Sequence, residues 1–221
     1  MTDIHHFYHV YSNGKWKPPL IDHLRALNQY GLMSNLKSFH VGLVGSKQSR
    51  DEVKDFLKYC KVKYKVCTEV DDGWEQETMD QIHKFAKRHS GYVYYAHTKN
   101  AVNINPLHID WRLSMTYYTA VKWEDCKKAL DDGFSAAGTH YLSSSAEINN
   151  IKNSGFFGGT FWWTDLKYIK KFPLPERTSR YDAEGWICNL KDSVESYGEN
   201  FVIKDFNPSH PGAHQNMVVQ W

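Results

Sequence analysis

The sequence predicts a mixed α/β fold in which a mainly parallel sheet is flanked by helices. Three observations lead there. Strand-like and helix-like segments alternate from Ile4 to Ala96, the pattern of a parallel sheet with crossover helices. Hydrophobic residues make up 41% of the chain and charged residues 24%, an ordinary globular balance. At 221 residues the chain is long enough to bury a sizeable core, and a single domain is expected.

The elements follow in order. Ile4–Tyr11 is rich in strand formers and stops at the turn signal Ser12-Asn13-Gly14. Helical spacing over 18–34, with Pro18 and Pro19 at its start, predicts the first helix. The apolar run Phe39–Gly45 is a buried strand, 51–59 an amphipathic helix, and 64–67 a further strand. Residues 74–89 carry apolar positions at helical spacing, and after Ser90-Gly91 comes the strand 92–96. Beyond it, 111–121 and 123–130 are read as closely joined helices, 139–142 as a short strand, 155–163 as a Gly-aromatic segment, 165–171 and 182–198 as helices, and the tail after Phe206 as a loop. No repeat, low-complexity tract or linker interrupts the chain.

Composition narrows the function. A net charge of +2 is no nucleic-acid footprint, which calls for a clustered basic face. No apolar run approaches the length of a membrane span, the N-terminus lacks a signal-peptide core, and Cys60, Cys67, Cys126 and Cys188 form no CxxC pair. Reduced thiols and a cytoplasmic location are expected. The unusual quantity is 15% aromatic residues, including 8 Trp. These either fill the core or wall a cleft for flat partners such as nucleobases and sugars.

Three segments offer chemistry. His97-Thr98-Lys99 directly follows a buried strand, and in open α/β sheets ligands settle beyond the carboxyl ends of strands. Lys99 would neutralise a diphosphate, and His97 would donate to a phosphate or bind a metal ion; a polar solubilising loop is the plainer alternative. Gly158 and Gly159 lie among Phe156, Phe157, Phe161, Trp162 and Trp163, either a close-approach ligand wall or a tightly packed turn. Asp182 and Glu184 open a helix near Trp186, where a carboxylate serves as general base or merely complements the helix dipole. Arg112 is a candidate phosphate clamp or a surface arginine. His210 and His214 are weaker candidates for metal or pyrophosphate, without HExxH or zinc-type spacing.

Together these motifs resemble the GT-A glycosyltransferase layout, which is Rossmann-like. More closely they are similar to small glycosyltransferase-like proteins of bacteria and bacteriophages, with a YAHTKG-like turn (here Tyr95–Asn100), a WR helix (Trp111-Arg112), an FGGNFWW-like motif (Phe157–Trp163) and an AExW motif (Ala183–Trp186). The resemblance implies a nucleotide-binding half over 1–100 and a sugar and acceptor half over 101–221. It places Tyr8 and Val10 near the donor base, with His97, Thr98, Lys99 and Arg112 on the donor phosphates. Gly158, Gly159, Trp162, Trp163 and Trp186 would line the sugar and acceptor, and Glu184, assisted by Asp182, would be the base of an inverting transfer. The donor would be a nucleotide-sugar and the acceptor a glycan, a protein or a hydroxymethylated DNA base.

The turn departs from the family's Asp-x-Asp metal motif, so Mn²⁺ or Mg²⁺ dependence stays open, with His97, His210 and His214 as the candidate ligands. A retaining route would leave Glu184 as an orienting residue. The alternative of another class is a non-catalytic carbohydrate- or nucleotide-binding module. A nucleotidyltransferase shares the fold logic but lacks paired metal carboxylates at the strand end.

Overall fold

The structure, a computed structural model, describes residues 2–99, 101–102, 105–142, 155–191 and 203–206. Nine strands are described: β1 (Ile4–Tyr11), β2 (Leu36–Val44), β3 (Lys65–Val70), β4 (Tyr92–His97), β5 (Ala136–Gly138), β6 (Tyr141–Leu142), β7 (Phe156–Phe157), β8 (Trp162–Asp165) and β9 (Ile203–Asp205). The helices are α1 (Lys17–Gln29), α2 (Leu32–Asn35), α3 (Lys47–Tyr59), α4 (Gln76–Ala86), α5 (Pro106–Thr116), α6 (Trp123–Asp131), α7 (Leu166–Ile169) and α8 (Asp182–Gly185). A π-helical turn (Tyr117–Val121) continues α5, and a 3₁₀ segment (Trp186–Lys191) continues α8.

Seven strands form one sheet in the order β3-β2-β1-β4-β8-β5-β9. The pairs β1/β2, β1/β4, β2/β3 and β5/β9 are parallel; β8 runs antiparallel to both β4 and β5. The expected mixed, mainly parallel sheet with flanking helices is therefore present. Strands β6 and β7 form a separate antiparallel pair.

Period-two alternation divides each central strand between two cores. Ile4, Tyr8 and Val10 of β1 join Tyr94, Trp163 and residues of α1, α3 and α6 on one face. Phe7, Val93, Tyr95 and Trp162 pack with α4, α7 and α8 on the other. The π-helical turn has a clear use here. Thr119 accepts a hydrogen bond from Trp163 Nε1 through its carbonyl (2.8 Å), and its hydroxyl meets Tyr94 OH at 2.9 Å, so one widened turn satisfies two polar groups deep in the interior.

Local signals explain the helix starts. The Ser46 side chain accepts from the Ser49 N–H and caps α3, which begins at Lys47 rather than at the expected 51. Asn105 caps α5 through the Leu107 N–H, with Pro106 in the first turn, several residues before the expected start at Trp111. At Gly42 of β2 a Cβ would lie 1.9 Å from Thr78 Oγ1. The missing side chain lets the amino end of α4 press onto the sheet and bring Thr78 to His9, whose Nδ1 it meets at 2.8 Å.

Candidate functional site

A cleft of about 600 Å³ opens where β1 and β4 end. Its floor comes from His9 and Tyr11 of β1 and from His97-Thr98-Lys99. One wall is the β3–α4 connection, Asp72 to Glu75, and the other carries Arg180 and Glu184. This is the position at which open parallel sheets hold ligands, because strand ends and the following loops leave backbone groups and polar side chains facing one crevice.

Backbone geometry fixes the floor. Thr98 N–H donates to the His9 carbonyl (2.9 Å), the Thr98 hydroxyl accepts from the Tyr11 N–H (2.9 Å), and Lys99 N–H returns to the His97 carbonyl (2.8 Å). Thr98 thus locks the end of β4 to β1 and turns Lys99 into the cleft. Its side chain is committed to that task.

His97 is held from both sides. Its Nε2 lies 2.9 Å from the Gly159 carbonyl, which can only accept, so Nε2 carries the hydrogen. Its Nδ1 faces Glu75 Oε1 at 3.3 Å. Burial first, and then the Lys99 charge, push the imidazole down to about 3, so the ring is neutral at ordinary pH. Two acceptors then stand in contact, Nδ1 and the Glu75 carboxylate, and a hydroxyl or N–H of a ligand can donate to the pair.

Lys99 and Glu184 form a second pair in the cleft. The Lys99 ammonium sits 4.0 Å from the centroid of the Trp111 ring, and among the described residues no carboxylate is in ion-pair contact with it. Burial lowers its pKa, opposed by Glu184 and Glu75. Burial also raises the pKa of Glu184, opposed chiefly by Lys99. Each charge is therefore desolvated and only partly compensated by the other. Arg180, stacked on Tyr181 at 4.8 Å, adds an exposed cation at the mouth.

The Gly-aromatic stretch meets this floor from beneath. Gly159 (φ +89°) and Thr160 (φ +64°) are left-handed, and a Cβ on Gly159 would lie 2.5 Å from Met115 Sδ and 3.3 Å from Lys99 Cε. Only glycine lets the carbonyl reach His97 there. Gly158 is buried beside the His140 carbonyl, to which its N–H donates (2.9 Å); neither glycine lines the cleft.

Several expected site residues lie elsewhere, each for a physical reason. Trp162 and Trp163 are fully buried and stack on Tyr95 and Tyr94 across the antiparallel β4/β8 pair, leaving no ring face for a sugar. Trp186 is buried against Phe172 and Trp162, its Nε1 donating to the Pro173 carbonyl. Tyr8 and Val10 point into the core; the neighbouring alternate residues His9 and Tyr11 reach the cleft instead. Arg112 is buried in an ion pair with Asp22 (2.7 Å), which occupies the guanidinium expected for phosphate. The Asp182 carboxylate accepts from Ser179 N–H (2.7 Å) and the Thr178 hydroxyl (2.9 Å), shaping the turn before α8. His210 and His214 lie outside the described residues. Among the described residues, no three His, Cys, Asp or Glu side chains cluster as a metal site, and no helix is long and apolar enough to cross a membrane.

Glu75, Asp72, His9, Tyr11 and Arg180 were missed by sequence reasoning. The run Asp71-Asp72-Gly73-Trp74-Glu75 carried a usable signal, being an acidic turn directly after a parallel strand.

No protein-family profile matches the chain, and no curated protein matches it. Among solved structures it is similar to 4-diphosphocytidyl-2C-methyl-D-erythritol synthase from Anaerococcus prevotii DSM 20548, at 11% identity and a TM-score of 0.54, covering 96% of this chain and 92% of that one. A second structure of a synthase of that name (9% identity, TM-score 0.45, 99% and 95% covered) and a manganese complex of Rv0371C from Mycobacterium tuberculosis H37Rv (11%, 0.43, 93% and 88%) are more distant. The class defined at this level is one of fold: a Rossmann-like α/β sheet shared with the Anaerococcus prevotii synthase.

Proposed function

We propose that the protein is a glycosyltransferase that moves a sugar from a nucleotide-sugar donor to an acceptor hydroxyl, the whole chain acting as one domain. The observation that carries the reading is the opposition of Lys99 and Glu184 across one cleft at the carboxyl ends of β1 and β4. A desolvated cation without a contacting counter-ion suits a diphosphate. A half-buried carboxylate whose pKa is raised by desolvation suits a general base.

In this mechanism the donor diphosphate lies against Lys99 and Arg180. Glu184 takes the proton from the acceptor hydroxyl, and the freed oxygen attacks the anomeric carbon. The bond from that carbon to the phosphate oxygen breaks, and the nucleoside diphosphate leaves with its added charge met by Lys99. Stabilising that charge in a water-poor site is the larger contribution. His97, its Nε2 hydrogen given to the Gly159 carbonyl, offers Nδ1 as an acceptor to a sugar hydroxyl. Trp74, exposed at the rim, offers a face to the nucleobase.

The test is product analysis with a panel of nucleotide-sugars and candidate acceptors, with and without Mn²⁺ or Mg²⁺. Release of nucleoside diphosphate, reduced by roughly 10²–10⁴-fold in Glu184→Gln while donor binding persists, is the expected result. Near-normal transfer by Glu184→Gln removes the base assignment. The fold likeness to a nucleotidyltransferase favours one second reading, in which pyrophosphate would be released instead. Binding without any turnover would mark a non-catalytic nucleotide- or carbohydrate-binding module.

A further inference from the structure

A second concavity, of about 570 Å³, lies at the opposite end of the sheet, where β1, β2 and β4 begin. Its rim carries Lys37 from β2, Lys65 from β3, Lys87 and Arg88 from the segment after α4, and Lys170 from the segment after α7. Against these five cations stands Asp3, which lies 3.9 Å from Lys37. Among the described residues, Lys65, Lys87, Arg88 and Lys170 contact no carboxylate.

The floor is an ordered hydrogen-bond chain. Ser38 Oγ lies 2.7 Å from His5 Nδ1 and 2.8 Å from His40 Nε2, so the hydroxyl donates to one imidazole and accepts from the other. Phe85 packs edge-on to both rings and stacks on His89 at 3.7 Å. Lys87 and Arg88 also complement the carboxyl end of α4. That accounts for those two alone, and leaves Lys37, Lys65 and Lys170, which three other elements deliver to the same hollow.

We propose that this hollow is an anion site for phosphate groups, separate from the cleft. Like charges gathered from four elements around one concavity repel one another and concentrate a positive potential there. An anion with several acceptor oxygens relieves that repulsion and takes hydrogen bonds from the lysines and the arginine together. The ligand is a phosphate monoester or a phosphodiester strand, which share this chemistry. The inference does not depend on the reaction assigned to the cleft.

The test follows the histidine ring signals by NMR while inorganic phosphate is added to the full chain, in parallel with fluorescence anisotropy of a labelled single-stranded oligonucleotide. The expected result is saturable movement of the His5, His40 and His89 signals, with affinity at least tenfold weaker in K37E/K65E/K170E and weaker also in the neutral K37Q/K65Q/K170Q. His9 and His97 report cleft binding separately. An oligonucleotide that binds at least tenfold tighter than phosphate identifies a phosphodiester strand. Its salt slope, for about three phosphates neutralised at roughly −0.7 each, would be near −2 and shallower in the variants. Equal affinities identify a small phosphate. Unmoved His5, His40 and His89 signals, or wild-type affinity in both triple variants, would overturn the proposal.

Discussion

Acidification should destabilise this protein strongly before ordinary carboxylates protonate, because the core holds neutral histidines. His6 and His23 are buried with their Nε2 atoms 2.8 Å apart, and His6 Nδ1 lies 3.0 Å from the Tyr94 carbonyl. The carbonyl requires the His6 hydrogen on Nδ1, so His6 Nε2 accepts and His23 Nε2 donates. That leaves His23 Nδ1 as a buried acceptor without a partner. Burial pushes His6 down to about 3 and His9 to about 4, and holds His23 well below its ordinary value. Below the unfolded pKa of about 6.5 the unfolded chain binds protons that the folded chain refuses. Stability is therefore unaffected above that pH and falls by about 1.4 kcal/mol per unit for each such group as pH drops towards the folded value. At pH 5 His6 and His9 together cost about 4 kcal/mol, and His23 adds to this. That is a large part of a typical total of about 5–15 kcal/mol. Glu184, raised in the folded state, acts in the opposite direction and offsets a fraction. Urea unfolding at pH 7, 6 and 5 reads the slope directly; the buffer must lack phosphate, since His40 floors the basic hollow. The double substitution H6F/H23L should flatten the slope by up to two protons. Stability that stays constant from pH 7 to 5, or a double variant with the wild-type slope, would refute the reasoning.

Three further outcomes follow from particular contacts. Gly159→Ala places a Cβ against Met115 Sδ at positive φ and should cost about 2–4 kcal/mol in urea unfolding, with loss of activity through His97. Asp22→Ala strands the buried Arg112 guanidinium and should destabilise by about 3–5 kcal/mol, whereas Arg112→Met with Asp22→Leu should recover much of it in chemical denaturation. Nucleoside diphosphates should quench tryptophan fluorescence in the wild type, and Trp74→Phe should abolish most of that signal; an unchanged quench would remove Trp74 from the donor site.

Residues 1–100 were legible because β2 and β4 are apolar runs and β1 is rich in strand formers, separated by amphipathic helices and turn signals. The second half was less so. β5 is Ala-Ala-Gly, three small residues without strand propensity, and it becomes a strand because β8 and β9 lie on either side of it. β8 itself was hidden inside Phe161-Trp162-Trp163, where the aromatic residues suggested a ligand wall. Antiparallel pairing with β4 turns both tryptophans into the two cores, so tertiary packing decided what composition left open. His97, Thr98, Lys99 and Glu184 were readable because a polar turn after a buried strand and an acidic helix start are local features. Glu75, Arg180 and the alternation that selects His9 and Tyr11 over Tyr8 and Val10 depend on register between distant segments.

The central claim is that Lys99 grips an activated phosphate in the cleft. A thermal-shift titration with UDP-, GDP-, CMP- and dTDP-linked sugars tests it most directly, comparing the wild type with Lys99→Met. At about 100 times Kd, a ligand specific for the folded state stabilises it by about 2.7 kcal/mol. The account predicts such a shift for one donor class, largely lost in Lys99→Met. No shift with any donor, or an equal shift in the variant, would contradict it.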